Sequence, residues 1–198
     1  MPLTPFRVRI GMDSGRSGIK AATGSDRVFG LPVIAELPAD AAWRNRGPLD
    51  KLIRTDGTIY LESWCLGYDQ RDWLVGERVE RLGLPGRYAM TVTKADGHTR
   101  LLILAAVTAL TDAVAAEVCV GLPLHHFERE GQAMRELLRG PHVVRARGGE
   151  YQVALQGTVV PEGLGLWVRS VIPGDAPAPD PDLIGRPTVV LDLGHRTV

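Results

Sequence analysis

Residues 101–116 read LLILAAVTALTDAVAA, and the chain then runs almost at once into VCVGLP. An apolar stretch this dense must hide from water. A bilayer span needs ~20 apolar residues, and this run is shorter and broken by Asp112. The pattern therefore predicts a buried helix over Gly97 to Glu117, with strong helix formers and a wide apolar face. Val118 to Gly121 follows directly as a buried strand, which Leu122-Pro123 closes. A chain of 198 residues is long enough for one well-cored domain, or one and a fraction.

The charge balance is 23 against 23, so no bulk electrostatic pull toward nucleic acid or membrane is expected. The two cysteines, Cys65 and Cys119, stand far apart in apolar settings and read as reduced core residues of a cytoplasmic protein. The first residues, MPLTPFRVRIGMD, lack the apolar segment of a signal peptide.

Along the chain, Phe6 to Met12 alternates as a strand does. Asp13 to Gly18 is turn chemistry, Ile19 to Ala22 is a returning strand, and Val28 to Ile34 is a third strand with Pro32 as a bend. From about Pro38 the pattern loosens into short strand-like pieces, which predicts an inserted subdomain over residues 38–96. Trp43, Trp64 and Trp73 are expected to form its small core. Phe127 to Arg139 is a charged amphipathic helix, and His125-His126 just before it reads as loop rather than metal site. Val143 to Arg147 and Tyr151 to Val160 form two strands, the first with Arg145 and Arg147 on a solvated edge rather than a nucleic-acid site. PGDAPAPDPD is a linker, placed at residues 173–185, and TVVLDLG beyond it is a closing strand.

Three short stretches carry possible chemistry. In MDSGRSGIK, Asp13 ends a strand, and Gly15 and Gly18 allow backbone N–H groups to approach a ligand. Arg16 and Ser17 add donors, and Lys20 stands seven residues after Asp13. The stretch suits either a hairpin with a polar tip or a phosphate loop. In TVVPEGLG, Glu162 sits at a strand mouth, as a surface turn residue or as a carboxylate that orients water. In VVLDLGHRT, Asp192 again ends a strand, with Gly194 following. Two strand-end aspartates suit a magnesium phosphate site in which the carboxylates hold the metal through water.

Taken in order, GMDSGRSGIK, DWLVGE, VCVGLPLHHF, VVPEG and VVLDLGHRT resemble the actin-like ATPases of bacterial plasmid segregation, the ParM/StbA group. The resemblance spans nearly the whole chain but little more than the first half of a family member. It implies an α/β, actin-like (ribonuclease-H-like) ATPase domain, with a mixed five-stranded sheet, helices on both sides and the inserted subdomain. Residues 1–172 would be the N-terminal domain, and 186–198 the first strand of a second domain that is missing. It also implies site roles. Asp13 and Asp192 would hold Mg2+ through water, and Gly15, Arg16, Ser17 and Gly194 would line the phosphates of ATP or GTP. Lys20 would contact the β- and γ-phosphates, and Glu162 would orient the attacking water. His195 departs from the pattern, since it stands where a glycine belongs in the second phosphate loop.

The expected function is that of a nucleotide-binding domain of a DNA-segregation filament, weak or inactive alone. Its partners would be like subunits and a centromere-binding adaptor protein, without direct nucleic-acid or membrane contact. The alternatives are a non-catalytic half that caps or binds a filament, and a gene remnant.

Overall fold

The structure is a computed structural model that describes residues 8–14, 18–39, 49–88, 93–112 and 114–164. The chain opens with an antiparallel hairpin, β1 (Val8–Ser14) and β2 (Ile19–Ala22). Strand pairing thus takes in Asp13 and Ser14, which the sequence assigns to the turn. In β1, Ile10 and Met12 are buried while Arg9 and Gly11 are exposed, the period-two signature of a half-buried strand.

β3 (Arg27–Gly30) pairs with β2, and β4 (Val33–Glu36) pairs elsewhere, with the later strands Arg71–Val75 and Arg87–Tyr88. The single strand expected over Val28 to Ile34 is therefore two. Pro32 has no N–H for a ladder. At Gly30 the chain passes so close to its neighbour that a Cβ would lie 3.1 Å from that of Leu61. The chain leaves one pairing at that point and joins another.

β5 (Lys51–Thr55), β6 (Thr58–Tyr68) and β7 (Arg71–Val75) follow, then the short α1 (Arg78–Arg81) and β8 (Arg87–Tyr88). The second half comprises α2 (Gly97–Leu110), β9 (Ala115–Leu122), α3 (Leu124–Leu137), β10 (Gly140–Ala146) and β11 (Gly149–Pro161). At its centre lies a five-stranded mixed unit in the order β3-β2-β1-β9-β11. β1, β9 and β11 run parallel, and β2 runs antiparallel to both β1 and β3. The long β6 extends this unit. Its first half pairs with β3, and its end reaches β10, which pairs with β11. Pairing thus runs in a closed circuit through seven of the strands.

α2 lies within the curl, against β1, β2, β3 and β6. Leu102 to Ala106 are wholly buried, which accounts for a helix that is apolar all round. Asp96 caps it by accepting the Thr99 N–H at 2.8 Å. The helix stops at Leu110, not at Glu117 as expected. Thr111 is already extended, and Ala115 and Ala116 pair with β1 and β11. Alanine favours helix, but a place between two parallel strands outweighs that small preference.

Other expectations need correction. Trp64 does not belong to a small separate core. It is buried in the main one and donates its indole N–H to Thr108 of α2 at 3.0 Å. Trp73 packs against the same cluster, and Trp43 lies outside the described residues. Arg147 is exposed as expected, but it stands in the turn just after β10 rather than on the strand. Its guanidinium donates to the Ala109 carbonyl at 2.8 Å and pairs with Asp112 at 2.6 Å, so it caps the negative end of α2. His125 and His126 lie in the first turn of α3, not in a loop. Cys65 and Cys119 are free thiols, half-buried rather than fully so. Burial, with Asp50 and Asp72 nearby, pushes the Cys65 thiol up to about 12.

Where the resemblance implies helices on both sides of the sheet, α2 and α3 lie on one. They cover the face of Ile10, Met12, Val118, Val120 and Val159. Among the described residues no helix covers the other face. It alternates out of register with the core and carries Arg9, Asp13, Lys20, Glu117, Gln156 and Thr158.

Candidate functional site

β1, β9 and β11 are parallel, so their carboxyl ends finish along one edge of the sheet. In open α/β sheets that edge is where ligands bind. The register places Asp13 opposite Gly121, and Gly121 opposite Val160. Two residues beyond Val160 comes Glu162, just after β11 ends at Pro161. Its N–H donates to the Leu122 carbonyl at 2.7 Å, so the turn is fastened to the end of β9.

Lys20 enters from the neighbouring strand. It faces Asp13 across the β1–β2 hairpin, with Nζ 3.5 Å from Oδ2. Both side chains are about half exposed. Such a pair contributes roughly 0–1 kcal/mol, so little is lost when an anion draws the ammonium away.

The structure therefore brings three sequence-predicted residues to one edge: Asp13 and Lys20 in contact, and Glu162 two strands over. Gly15, Arg16, Ser17, Asp192 and Gly194 lie outside the described residues. The donor set suits a hard cation held through water. Asp13 offers a single accessible carboxylate, and no group of three His, Cys, Asp or Glu among the described residues could hold a bare ion.

Two contributors escape the sequence reading. Gly121 is one: a Cβ there would lie 3.3 Å from Cγ of Glu162, so the glutamate side chain leans over this bare position. A glycine inside an otherwise apolar strand is the signal that could have found it. Glu130 of α3 is the other. It is buried and accepts from Thr93 Oγ1 at 2.8 Å, Lys94 N at 2.5 Å, Ala95 N at 3.2 Å and His126 Nδ1 at 2.8 Å. Burial alone would raise its pKa, but the four donors together hold it down at about 2. Glu130 thereby ties the segment leading into α2 to the helix that starts beside the strand ends.

Residues 11–165 match the family described as actin-like proteins, N-terminal domain. The chain belongs to this family. No curated protein sequence matches it significantly. Among solved structures it is similar to the apo psk41 ParM protein, at a TM-score of 0.63 and 12% identity over 84% of this chain and 53% of that one. It is similar to the AlfA filament bound to AMPPNP, at 0.61 and 13% over 83% and 58%. It is also similar to the archaeal actin homologue Ta0583 in complex with ADP, at 0.61 and 19% over 83% and 46%. At these identities the likeness shows the fold, and the actin-like chain spans about half the length of each structure. No described helix is long and apolar enough to cross a membrane.

Proposed function

We propose that the edge formed by β1, β9 and β11 is the phosphate side of a Mg–ATP or Mg–GTP site, in a subunit of a DNA-segregation filament of the ParM/StbA kind. The observation that carries this is the convergence of Asp13, Lys20 and Glu162 on one set of parallel strand ends. It is supported by similarity to a filament bound to AMPPNP and to an actin homologue bound to ADP.

In this reading Lys20 would leave Asp13 for the β- and γ-phosphate oxygens, and Gly15, Arg16 and Ser17 would line the phosphates. Asp13 and Asp192 would then hold Mg2+ through water, and Gly194 would lie beside the phosphates. The bound Mg2+ would neutralise charge on the phosphate oxygens. Glu162 would accept a hydrogen bond from the water that attacks the γ-phosphorus; the bond to the bridging oxygen breaks, the nucleoside diphosphate leaves with that oxygen, and the water's protons stay on the inorganic phosphate or pass to solvent. The same reading assigns 38–96 to an inserted subdomain, 173–185 to a linker and 186–198 to the first strand of a second domain, and it includes a centromere-binding adaptor among the partners.

A polypeptide of these 198 residues would carry only part of such a site. Lacking two or three charge-assisted hydrogen bonds at ~1.5–3 kcal/mol each lowers affinity on the order of 10²–10⁶. Titration with Mg–ATP, followed by amide NMR, should shift residues around 11–22, 121–123 and 162–163 with a millimolar Kd. The absence of shifts at these strand ends would remove the reading, and micromolar binding would refute the partial site.

Similarity to the AlfA filament also supports self-association of this chain. Sedimentation should show species larger than a monomer as concentration rises. A clean monomer up to the millimolar range would count against it.

A further inference from the structure

Three side-chain positions cross the strand ends in one row on the open face: Asp13 on β1, Gly121 on β9 and Val160 on β11. Neighbouring strands lie about 4.8 Å apart, so the middle position separates the outer two by nearly ten ångströms. Gly121 leaves that middle position empty. Glu162, next on the same side of β11, is pinned through its N–H to the Leu122 carbonyl, and Cγ then passes over the bare α-carbon. The nearest atoms to a Cβ built there are Cγ of Glu162 at 3.3 Å and the Met12 carbonyl oxygen at 3.9 Å. One is the flexible side chain of the candidate water-orienting residue, and the other is backbone of the strand that carries Asp13.

We infer that Gly121 is a positioning residue: its lack of a side chain lets Glu162 lean across β9 toward the Asp13–Lys20 pair. The inference rests on the nucleotide-site reading only for its consequence. The steric relation between Gly121 and Glu162 stands by itself.

The backbone at Gly121 does not require glycine. It is not among the positive-φ residues, and an alanine there meets no atom closer than 3.3 Å. A strand interior also disfavours glycine, which packs nothing and loses the most backbone entropy. On fold grounds alone alanine should be at least as good. A methyl group would displace Glu162 Cγ by a few tenths of an ångström, and valine would displace it further. Misplacement of about 1 Å at a reacting group lowers rates on the order of 10².

The test uses the 198-residue chain labelled with 13C-glutamate, with Glu162→Gln identifying the Glu162 carboxyl resonance. Gly121→Ala and Gly121→Val should move that resonance progressively, leave the other glutamates in place and keep the thermal midpoint within a few degrees. An unmoved Glu162 resonance in a folded Gly121→Ala protein overturns the inference. So does a general shift of all glutamates with a fallen midpoint, which would make Gly121 a packing residue. Phosphate release in the assembled filament then separates this inference from the site reading. Gly121→Ala should slow release about tenfold, and should add nothing in a Glu162→Ala background. A displaced Glu162 with unchanged release would uphold Gly121 as the positioning residue and remove Glu162 as the residue that orients water.

Discussion

Glu162→Ala is expected to lower nucleotide hydrolysis by roughly 10²–10⁴ and to leave nucleotide affinity nearly unchanged. Lys20→Ala is expected to weaken binding itself. The difference follows from where the two residues stand. In the proposed site Lys20 would meet the phosphates, so its contribution would already be present in the bound ground state. Glu162, fastened to the end of β9 and leaning over Gly121, would act on the attacking water rather than on the nucleotide. An interaction that strengthens only in the transition state changes the rate and not the affinity. Two nucleotide titrations and a phosphate-release assay, in the presence of whatever completes the site, read both quantities. Equal loss of affinity in the two variants would show that Glu162 does not act on water. Full turnover in Glu162→Ala would reduce VVPEG to a turn.

Local pattern was enough to place Asp13, Lys20 and Glu162 at strand ends, because alternation, glycine turns and a terminal proline are short-range signals. It could not bring them together. Their meeting depends on parallel pairing of β1 with β9 and of β9 with β11, across separations of about a hundred and about forty residues. No local signal encodes such pairing, and in the sequence reading only the resemblance supplied it. The errors have the same origin. The alanines at 115 and 116 favour helix by propensity and lie in a strand by tertiary pairing. Pro32 was legible as a bend, but that β4 would leave β3 for β7 was not, since the partner lies about forty residues downstream. Trp64 looked like the core of a local insert because its partner, Thr108, belongs to a helix 44 residues later.

Gly121 and Glu130 were hidden for opposite reasons. Gly121 acts by lacking a side chain, and its effect falls on a residue of another strand. Glu130 sits in HHFEREGQAM, which reads as a solvated charged helix. Yet 126, 130, 134 and 138 follow one another at helical spacing, and all four are buried. The polar pair lies on the apolar stripe, where a carboxylate must find donors.

Glu130 should therefore be among the most sensitive single positions for stability. Replacing it with alanine removes the acceptor of the buried Lys94 N–H, of the half-buried Ala95 N–H and of His126, and breaking a buried charged network in this way costs roughly 3–5 kcal/mol. A domain holds only about 5–15 kcal/mol in total, so the loss is large. The carboxyl also sets a pH dependence whose sign is fixed. Its folded pKa, about 2, lies below the ordinary 4.5, so its contribution is fully present above about pH 4.5. As pH falls toward 2 the unfolded chain takes up a proton that the folded chain refuses, and ~3 kcal/mol of stability is lost over that window. Glu130→Gln preserves the shape, faces an amide NH2 toward backbone donors and removes the titration. Urea unfolding of both proteins at neutral pH and near pH 3 should show a gap that narrows with acid. A gap below about 1 kcal/mol at neutral pH, or one that acid leaves unchanged, would mean that the four hydrogen bonds to Glu130 do not hold the loop to α3.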